Sequence, residues 1–549
     1  MAFKERKFLL GTLGAIAFYL LAYAYTLGHK PMLGDDSYLG LVNETPMIFG
    51  EKWNANPIDA SSLNCENAFE KEKLISSSLY SSSVEPSLFF RSGEEKYPVL
   101  FNRRNGGVPF YFFKLVSKSL GVKNTKILFS ASMGVLSLFF LALGVRRLMG
   151  TEVALASVFM SSISPIFLIA KSDLISEAIT VPLFLALFFL IQGRKTSEKI
   201  LCVLIFLFAV HIKIVSILMV IPLLILFFDN FKSERRFTFL AAFSVVIYFS
   251  ILLFTPGGEL ELLVRRSGQG FYKGGADWLL FANNFLAFLV SPIHFMDDQF
   301  LDVPYILNIK ERFLSFSILE WGTFLGLIGL VILNFKERYI KKLLLALMIY
   351  SVALFFQGHG EITYSSHFTE SFPLYSILIG GLLVYSLRSH KKIRVIMSIG
   401  FVAIFLFQSV KWSSLYREKG AHPLLSIQFY EEISRFLVKK DINPIVIDGE
   451  IELGAIETLT EEKTKPIYTE SMAKGLQYIH NCSKEKEGHL LVYLRPSVYY
   501  DDQRIGYQHI TYSNDTVVEE FSKSGIQLVD EKTFYHNGDA IYWLARFQL

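Results

Sequence analysis

Two adjacent carboxylates, Asp35 and Asp36, are the residues of this sequence best suited to chemistry. They stand in the run Gly34-Asp35-Asp36-Ser37-Tyr38, shortly after an apolar segment over residues 8–27. A carboxylate there can act as a general base, a metal ligand or a group that orients a hydroxyl. A neighbouring acid can raise the pKa of such a base toward working pH. A solvated loop turn is the competing interpretation of so short a motif.

A second acidic pair lies at the start of a later apolar run. Asp173 stands where a loop ends, and Glu177 lies one turn further on, inside the run over 174–191. An ionisable group at membrane depth favours a functional role, because its burial there is costly. The alternative is an acid that complements the positive end of a helix dipole.

Cationic and imidazole side chains form three further candidate groups. Lys213, next to His211, can hold a phosphate oxygen as a point charge, or it can snorkel to the interface. Arg103 and Arg104 can clamp a phosphate, or anchor an interfacial helix to anionic lipid. The last two candidates, His359 and His367, can contact phosphate or sugar or be solvated, and their spacing is not that of a metal site.

The elements that must position these groups are apolar runs of membrane-spanning character. The chain is 52% hydrophobic and 19% charged, with a mean hydropathy of +0.38, whereas a soluble chain carries about a quarter charged residues. The runs cover 8–27, 127–145, 153–170, 174–191, 200–228, 237–254, 313–333, 343–356, 372–387 and 395–410. We therefore expect a polytopic α-helical membrane protein.

Basic residues between the runs predict the sidedness. The first run is preceded by Lys4-Glu5-Arg6-Lys7 and has no cleavage pattern after it, so we interpret it as a retained helix with a cytoplasmic amino end. The run over 200–228 has basic residues at both flanks, which predicts two short helices meeting near His211 and Lys213. The total is then about 11 helices, with the carboxyl end outside.

Three segments are predicted to lie outside the cytoplasm. Two are large loops within a membrane region over 1–410, and they cover 28–126 and 255–312. The third is the tail over 411–549, where helical spacing at 427–438 and β-like runs at 444–447, 490–494 and 541–547 predict a small α/β domain. The net charge of +4 and the scattered basic residues argue against nucleic-acid binding.

The cysteines carry little information about chemistry. There are three, Cys65, Cys202 and Cys482, with neither a disulfide framework nor zinc spacing. Cys202 falls in an apolar run. The other two lie outside the membrane in the predicted topology, where either two free thiols or one pair is consistent with the sequence.

The membrane region, roughly residues 1–410, resembles the GT-C glycosyltransferases. The likeness is to bacterial relatives of protein O-mannosyltransferases and lipid A aminoarabinose transferases. It rests on Asp35-Asp36, on the segment Val108-Pro109-Phe110-Tyr111-Phe112-Phe113-Lys114-Leu115, on Ala209-Val210-His211-Ile212-Lys213 and on the Pro373 segment. The chain departs from the family at Val108, where a His-Pro pair is common, and near Tyr364, where relatives carry an arginine and a tyrosine.

The resemblance implies transfer of a sugar from a polyprenyl-phosphate carrier, with inversion at the sugar carbon. It implies Asp35 or Asp36 as the base, Asp173 as an assisting group and Lys213 as a ligand of the donor phosphate. The acceptor is then a lipid, glycan or protein of the cell envelope, and the host membrane a bacterial inner membrane. Some relatives use a divalent cation, so the metal stays open.

Two other classes of function compete with the enzyme. One is a flippase or transporter for lipid-linked sugars, although no repeat of hydropathy relates two halves of this chain. The other is a membrane scaffold without catalysis, whose tail binds a partner. Analogy of fold alone does not separate them.

Overall fold

The computed structural model describes two compact units. It describes residues 2–26, 89–92, 95–98, 116, 119–164, 167, 175–212, 214–233, 246, 318–357, 372–389, 392–419, 427–447, 467–469, 487–494, 518–519, 522–523, 525, 527–536 and 539–548. The first unit contains the apolar helices, and the second contains a five-stranded sheet, a two-stranded hairpin and the helix Ile427–Lys440. The described part of the chain is mostly helical.

Ten α-helices and one 3-10 helix form the described part of the first unit. They are α1 (Ala2–Thr26), α2 (Val122–Met149), α3 (Thr151–Ser162), α4 (Ile175–Leu190), α5 (Thr196–Ile212), the 3-10 helix (Ile214–Met219), α6 (Val220–Ser233), α7 (Ile318–Asn334), α8 (Arg338–Gln357), α9 (Phe372–Arg388) and α10 (Lys392–Lys419). Among the described residues, three helical stretches are long and apolar enough to cross a membrane: Glu5–Tyr25, Ile127–Met149 and Lys392–Lys411. The total of about 11 spans stays a prediction.

Two of these helices differ from the predicted runs for local reasons. Within the run over 153–170, helix α3 ends at Ser162 and Phe167 is again helical. The sequence explains the interruption, because Pro165 lacks an amide hydrogen and disfavours helical backbone in the residue before it. The run over 200–228 is interrupted after Ile212, as predicted, and continues as the 3-10 helix and α6. Within α6 the backbone of Phe227 is not helical, at φ −118° and ψ 27°.

Helices α3 and α9 of the first unit pack closely against each other. A Cβ atom added at Gly380 of α9 would lie 2.7 Å from the backbone nitrogen and 2.9 Å from the Cα of Ser157 on α3. Most of α9 is buried along this stretch, including the neighbouring Gly381 and Ser376. Small residues allow helices to approach this closely inside a membrane, where dispersion contacts rather than hydrophobic burial hold them together.

The turn from α4 to α5 is stabilised by side-chain hydrogen bonds to backbone. The Gln192 amide donates to the carbonyl of Phe188 at 2.7 Å and to the carbonyl of Gly144 on α2 at 3.1 Å. The Glu198 carboxylate accepts from the Lys195 amide at 3.1 Å, as in a capping box. This hydrogen bond, followed by the Arg147 guanidinium, lowers the pKa of Glu198.

The second unit contains a mixed sheet with the strand order β4-β3-β5-β7-β6. The strands are β3 (Ile445–Ile447), β4 (Ile467–Thr469), β5 (Glu487–Tyr493), β6 (Gln527–His536) and β7 (Asp539–Gln548), preceded by α11 (Ile427–Lys440). β3 is parallel to β4 and β5, whereas β7 is antiparallel to both β5 and β6. A separate hairpin pairs β1 (Phe89–Ser92) with β2 (Glu95–Pro98).

Helix α11 packs its apolar face on the sheet. Phe429, Ile433 and Leu437 are buried at helical spacing, and the Phe429 ring lies 6.2 Å from that of Tyr542 on β7. The helix ends at Asp441, whose φ of +54° places it in the left-handed region. The amide of Ile442 then donates to the carbonyl of Leu437 at 3.0 Å, which closes a Schellman motif.

Candidate functional site

Four aromatic side chains contact one another where several helices of the first unit have their ends close together. The Tyr19 ring lies 5.9 Å from that of Tyr23 on α1 and 5.4 Å from that of Phe167. Phe167 in turn lies 5.5 Å from Phe372, the first residue of α9. The Tyr23 hydroxyl donates to the carbonyl of Ile127 near the start of α2, at 3.3 Å. We call Tyr19, Tyr23, Phe167 and Phe372 the aromatic cluster.

The aromatic cluster lies where the chain enters or leaves the predicted candidate segments. Asp35 and Asp36 follow α1 shortly after the cluster, and Arg103 and Arg104 precede α2. Asp173 lies between Phe167 and α4, and His367 shortly precedes Phe372. Contacts within the cluster join described helix ends of the first unit, and four candidate groups precede or follow these ends in the chain.

Ion pairs join the opposite ends of the same helices. Arg146 on α2 contacts Glu5 on α1 at 2.9 Å, and Arg388 on α9 contacts Glu152 on α3 at 3.0 Å. Arg147 on α2 contacts Glu198 on α5 at 3.2 Å. Every one of these residues lies in or beside the basic amino end or a short basic connection between apolar runs, which the positive-inside rule assigns to the cytoplasm. The helical unit therefore has one end with ion pairs and another with the aromatic cluster.

One face of α1 holds that helix in place. Phe8, Thr12, Ala15, Tyr19 and Tyr23 are buried at spacings of three and four residues, whereas Leu9, Leu10, Leu13 and Leu21 are exposed as expected of a lipid-facing surface. The Tyr19 hydroxyl lies against Gly134 of α2, where a Cβ atom would collide with it. α1 is therefore fixed by packing immediately before the Asp35-Asp36 segment.

Tyr19 and Tyr23 of α1 predict opposite effects of removing the hydroxyl oxygen. The buried Tyr19 hydroxyl has no hydrogen-bond partner among the described residues, while that of Tyr23 donates to the carbonyl of Ile127. We expect Tyr19→Phe to leave the free energy of unfolding unchanged or raise it, and Tyr23→Phe to lower it by about 1 kcal/mol. Thermal unfolding of both variants in the same detergent measures this. A larger loss in Tyr19→Phe than in Tyr23→Phe would contradict the geometry.

Most of the predicted site residues lie outside the described part of the chain. These are Asp35, Asp36, Arg103, Arg104, Asp173, Lys213, His359 and His367. Glu177 lies in the first turn of α4, and His211 is the penultimate residue of α5, where it is half-buried. The structure thus places His211 directly before the helix break, and it places Glu177 where a helix begins.

The other potential ligands give no metal site among the described residues. No group of three or more His, Cys, Asp or Glu side chains in the described part could hold a metal ion. Cys202 is a buried free thiol, and Cys65 and Cys482 lie outside the described residues. The ligands of a divalent cation therefore remain unassigned.

Sequence reasoning did not single out the aromatic cluster. The spacing of Phe8, Thr12, Ala15, Tyr19 and Tyr23 is the only signal for it, and this spacing marks the buried face of α1 without indicating partners. The contacts to Phe167 and Phe372 join residues far apart in the chain, which no local pattern reveals.

Comparison with known proteins gives structural likenesses of low identity. No protein-family model matches the chain, and no curated protein matches it. The solved structure of ArnT from Cupriavidus metallidurans bound to undecaprenyl phosphate is 10% identical, with a TM-score of 0.48 over 97% of each chain. The archaeal oligosaccharyltransferase AglB from Archaeoglobus fulgidus, in complex with an inhibitory peptide and a dolichol-phosphate, is 12% identical. Its TM-score is 0.46, over 87% of this chain and 69% of AglB.

At identities of 10% and 12% and TM-scores of 0.48 and 0.46, the activity of this chain has to be argued from its own residues.

Proposed function

We propose that this chain is a membrane glycosyltransferase that moves a sugar from a polyprenyl-phosphate carrier to an acceptor outside the cytoplasm. The observation that carries the proposal is the aromatic cluster, which gathers the helix ends flanking Asp35-Asp36, Arg103-Arg104, Asp173 and His367. Carboxylates and cations of the kinds found in these segments suit a lipid-anchored phosphate and a hydroxyl acceptor.

The acidic residues supply the proton chemistry in this proposal. Asp35 or Asp36 removes the proton of the acceptor hydroxyl, and the acceptor oxygen attacks the anomeric carbon of the sugar. The bond from that carbon to the phosphate oxygen breaks, so polyprenyl phosphate leaves with the bonding electron pair and the configuration inverts. Asp173 assists by orienting the acceptor or the base.

The cationic residues stabilise the phosphate in this proposal. Lys213 follows the end of α5, where the chain turns into the 3-10 helix, and its ammonium group holds a phosphate oxygen. Arg103 and Arg104 clamp the same group, while His211, Glu177, His359 and His367 complete the substrate contacts. No step is assigned to a metal.

The proposed topology follows the charges at the other end of the unit. The residues that form the ion pairs Glu5–Arg146, Glu152–Arg388 and Arg147–Glu198 face the cytoplasm, as the positive-inside rule predicts for short loops. The aromatic cluster and residues 411–549 then lie outside. About 11 helices within residues 1–410 span a bacterial inner membrane, and the acceptor belongs to the cell envelope.

Reconstitution in proteoliposomes distinguishes transfer from flipping. A labelled polyprenyl-phosphate sugar and native acceptor extract are presented on one face, and both product and lipid movement are followed. We expect labelled product that depends on the protein. Movement of the labelled lipid without product would instead identify a flippase, and neither signal from folded protein would favour a scaffold.

A further inference from the structure

The turn between α7 and α8 concentrates exposed positive charge. We call residues 335–342 the basic turn: it contains Lys336, Arg338 and Lys341 with exposed side chains, and Lys342 beside them. Glu337 is the one acid within it. No ion pair to Lys336 or Lys341 occurs among the described residues.

The position of these cations is electrostatically unfavourable for the helix itself. α8 begins at Arg338, and its first turn contains no acidic residue. Cations at a helix N-terminus oppose the macrodipole and destabilise the helix. By contrast, Lys439 and Lys440 lie in the last turn of α11, where the dipole favours them. An anion at the basic turn would offset the unfavourable arrangement.

Apolar groups beside the cations indicate that the anion is attached to a hydrocarbon chain. Phe335 is 53% exposed and Ile332 is 69% exposed on the helix just before it. The Lys341 ammonium lies 5.4 Å from the centre of the Phe335 ring, so the cation and the aromatic surface are contiguous. A free inorganic ion would use the lysines and leave both apolar side chains in water.

The length of α8 sets the depth of the cations. From Leu343 to the end of α8 at Gln357 the helix extends about 22 Å, less than the hydrocarbon thickness of about 30 Å. When the other end of α8 lies at its own boundary, the exposed Lys341 lies within side-chain reach of the lipid phosphates, whereas the Lys342 ammonium donates to the carbonyl of Leu226 on α6 at 3.5 Å. Hydrophobic mismatch of this kind is accommodated by thinning of the bilayer or by snorkelling.

We propose that the basic turn binds the head group of an anionic phospholipid, with the lipid chain against Phe335 and Ile332. This site is separate from the proposed transfer chemistry, because it lies on a turn that contains none of the candidate donor or acceptor groups. The proposed ligand is a lipid of the surrounding membrane and not a substrate of the transfer reaction.

Native mass spectrometry of the full chain in detergent tests this proposal. The probes are phosphatidylglycerol and phosphatidylcholine with identical acyl chains. We expect the wild type to retain phosphatidylglycerol preferentially, and Lys336→Gln/Lys341→Gln to retain it on the order of tenfold less, since each cation near an anionic surface contributes to attraction. The matched control is Lys439→Gln/Lys440→Gln, which removes two charges from α11 and should not alter retention.

A third variant tests lipid binding at the basic turn even if the double variant does not fold. Glu337→Gln removes the acid of the basic turn without deleting a cation, and we expect it to increase retention of phosphatidylglycerol. Unchanged retention in Glu337→Gln, or an equal loss in the α11 control, would overturn the site. Displacement of the lipid by millimolar inorganic phosphate would overturn the assignment to a lipid.

Discussion

Replacing Asp35 and Asp36 together by asparagine should reduce sugar transfer by about 10²- to 10⁴-fold, the range that a positioned general base contributes. Asparagine keeps the size of the side chain and cannot accept the proton of the acceptor hydroxyl. The single variants should separate the roles, because the base accounts for most of the loss and its neighbour for a shift in the pH profile. The measurement is the initial rate of transfer by reconstituted protein at several pH values.

The sequence offers a matched control for this experiment. Asp501 and Asp502 form another adjacent pair in the tail, and no catalytic role is proposed for them. Asp501→Asn/Asp502→Asn should therefore transfer sugar at the wild-type rate. Full activity in Asp35→Asn, in Asp36→Asn and in the double variant would show that this pair is not the base.

Replacing Gly380 by leucine should prevent α3 and α9 from packing together. The new Cβ atom would meet backbone atoms of Ser157 at 2.7 and 2.9 Å, and backbone cannot move aside as a flexible side chain can. The helices must separate along a mostly buried face of α9, so we expect a loss of about 3 kcal/mol or more. Thermal unfolding in detergent and the yield of monodisperse protein measure the effect.

Gly14 provides the control for that substitution. It lies within α1, and a Cβ atom added there would meet nothing within 4 Å. Gly14→Leu should leave the unfolding temperature unchanged or raise it, because leucine favours helix more than glycine does. An equal loss of stability in both variants would mean that the substitution acts through helix propensity or the membrane, and not through the contact with Ser157.

The helices of the first unit could be predicted because the apolar runs and the basic residues between them are local features of the sequence. Basic residues on both flanks of 200–228 predicted the break that follows Ile212. The start of α8 differs from the predicted run, which begins at residue 343, because the long aliphatic stems of Arg338, Lys341 and Lys342 are compatible with a helix. The predicted run over 153–170 extends past the end of α3 at Ser162, because hydrophobicity alone does not register the effect of Pro165 on the residue before it.

The sheet of the second unit was predicted only in part. β3, β5 and β7 correspond to the apolar runs at 444–447, 490–494 and 541–547. β6 was missed because Asp530, Glu531 and Lys532 interrupt its alternation, and β4 is only three residues long. The Trp543 indole donates a hydrogen bond to the Glu531 carboxylate at 2.8 Å, so this charged residue satisfies a donor on the neighbouring strand.

For the candidate site, the sequence indicates single residues but not the long-range contacts between helices. Single residues such as Asp35 could be singled out by chemical type, and helix ends by charge. The contacts among Tyr19, Phe167 and Phe372 depend on long-range packing, which no local spacing encodes. The roles of Asp35, Asp36, Asp173 and Lys213 therefore stay predictions that experiment has to test.

Transfer of label from a panel of radiolabelled polyprenyl-phosphate sugars tests the central claim most directly. The full-length protein in nanodiscs is incubated with each donor and native membrane extract, beside the Asp35→Asn/Asp36→Asn variant. The account predicts labelled product from at least one donor with the wild type and none above background with the variant. No transfer from any donor by demonstrably folded wild-type protein, or equal transfer by the variant, would contradict it.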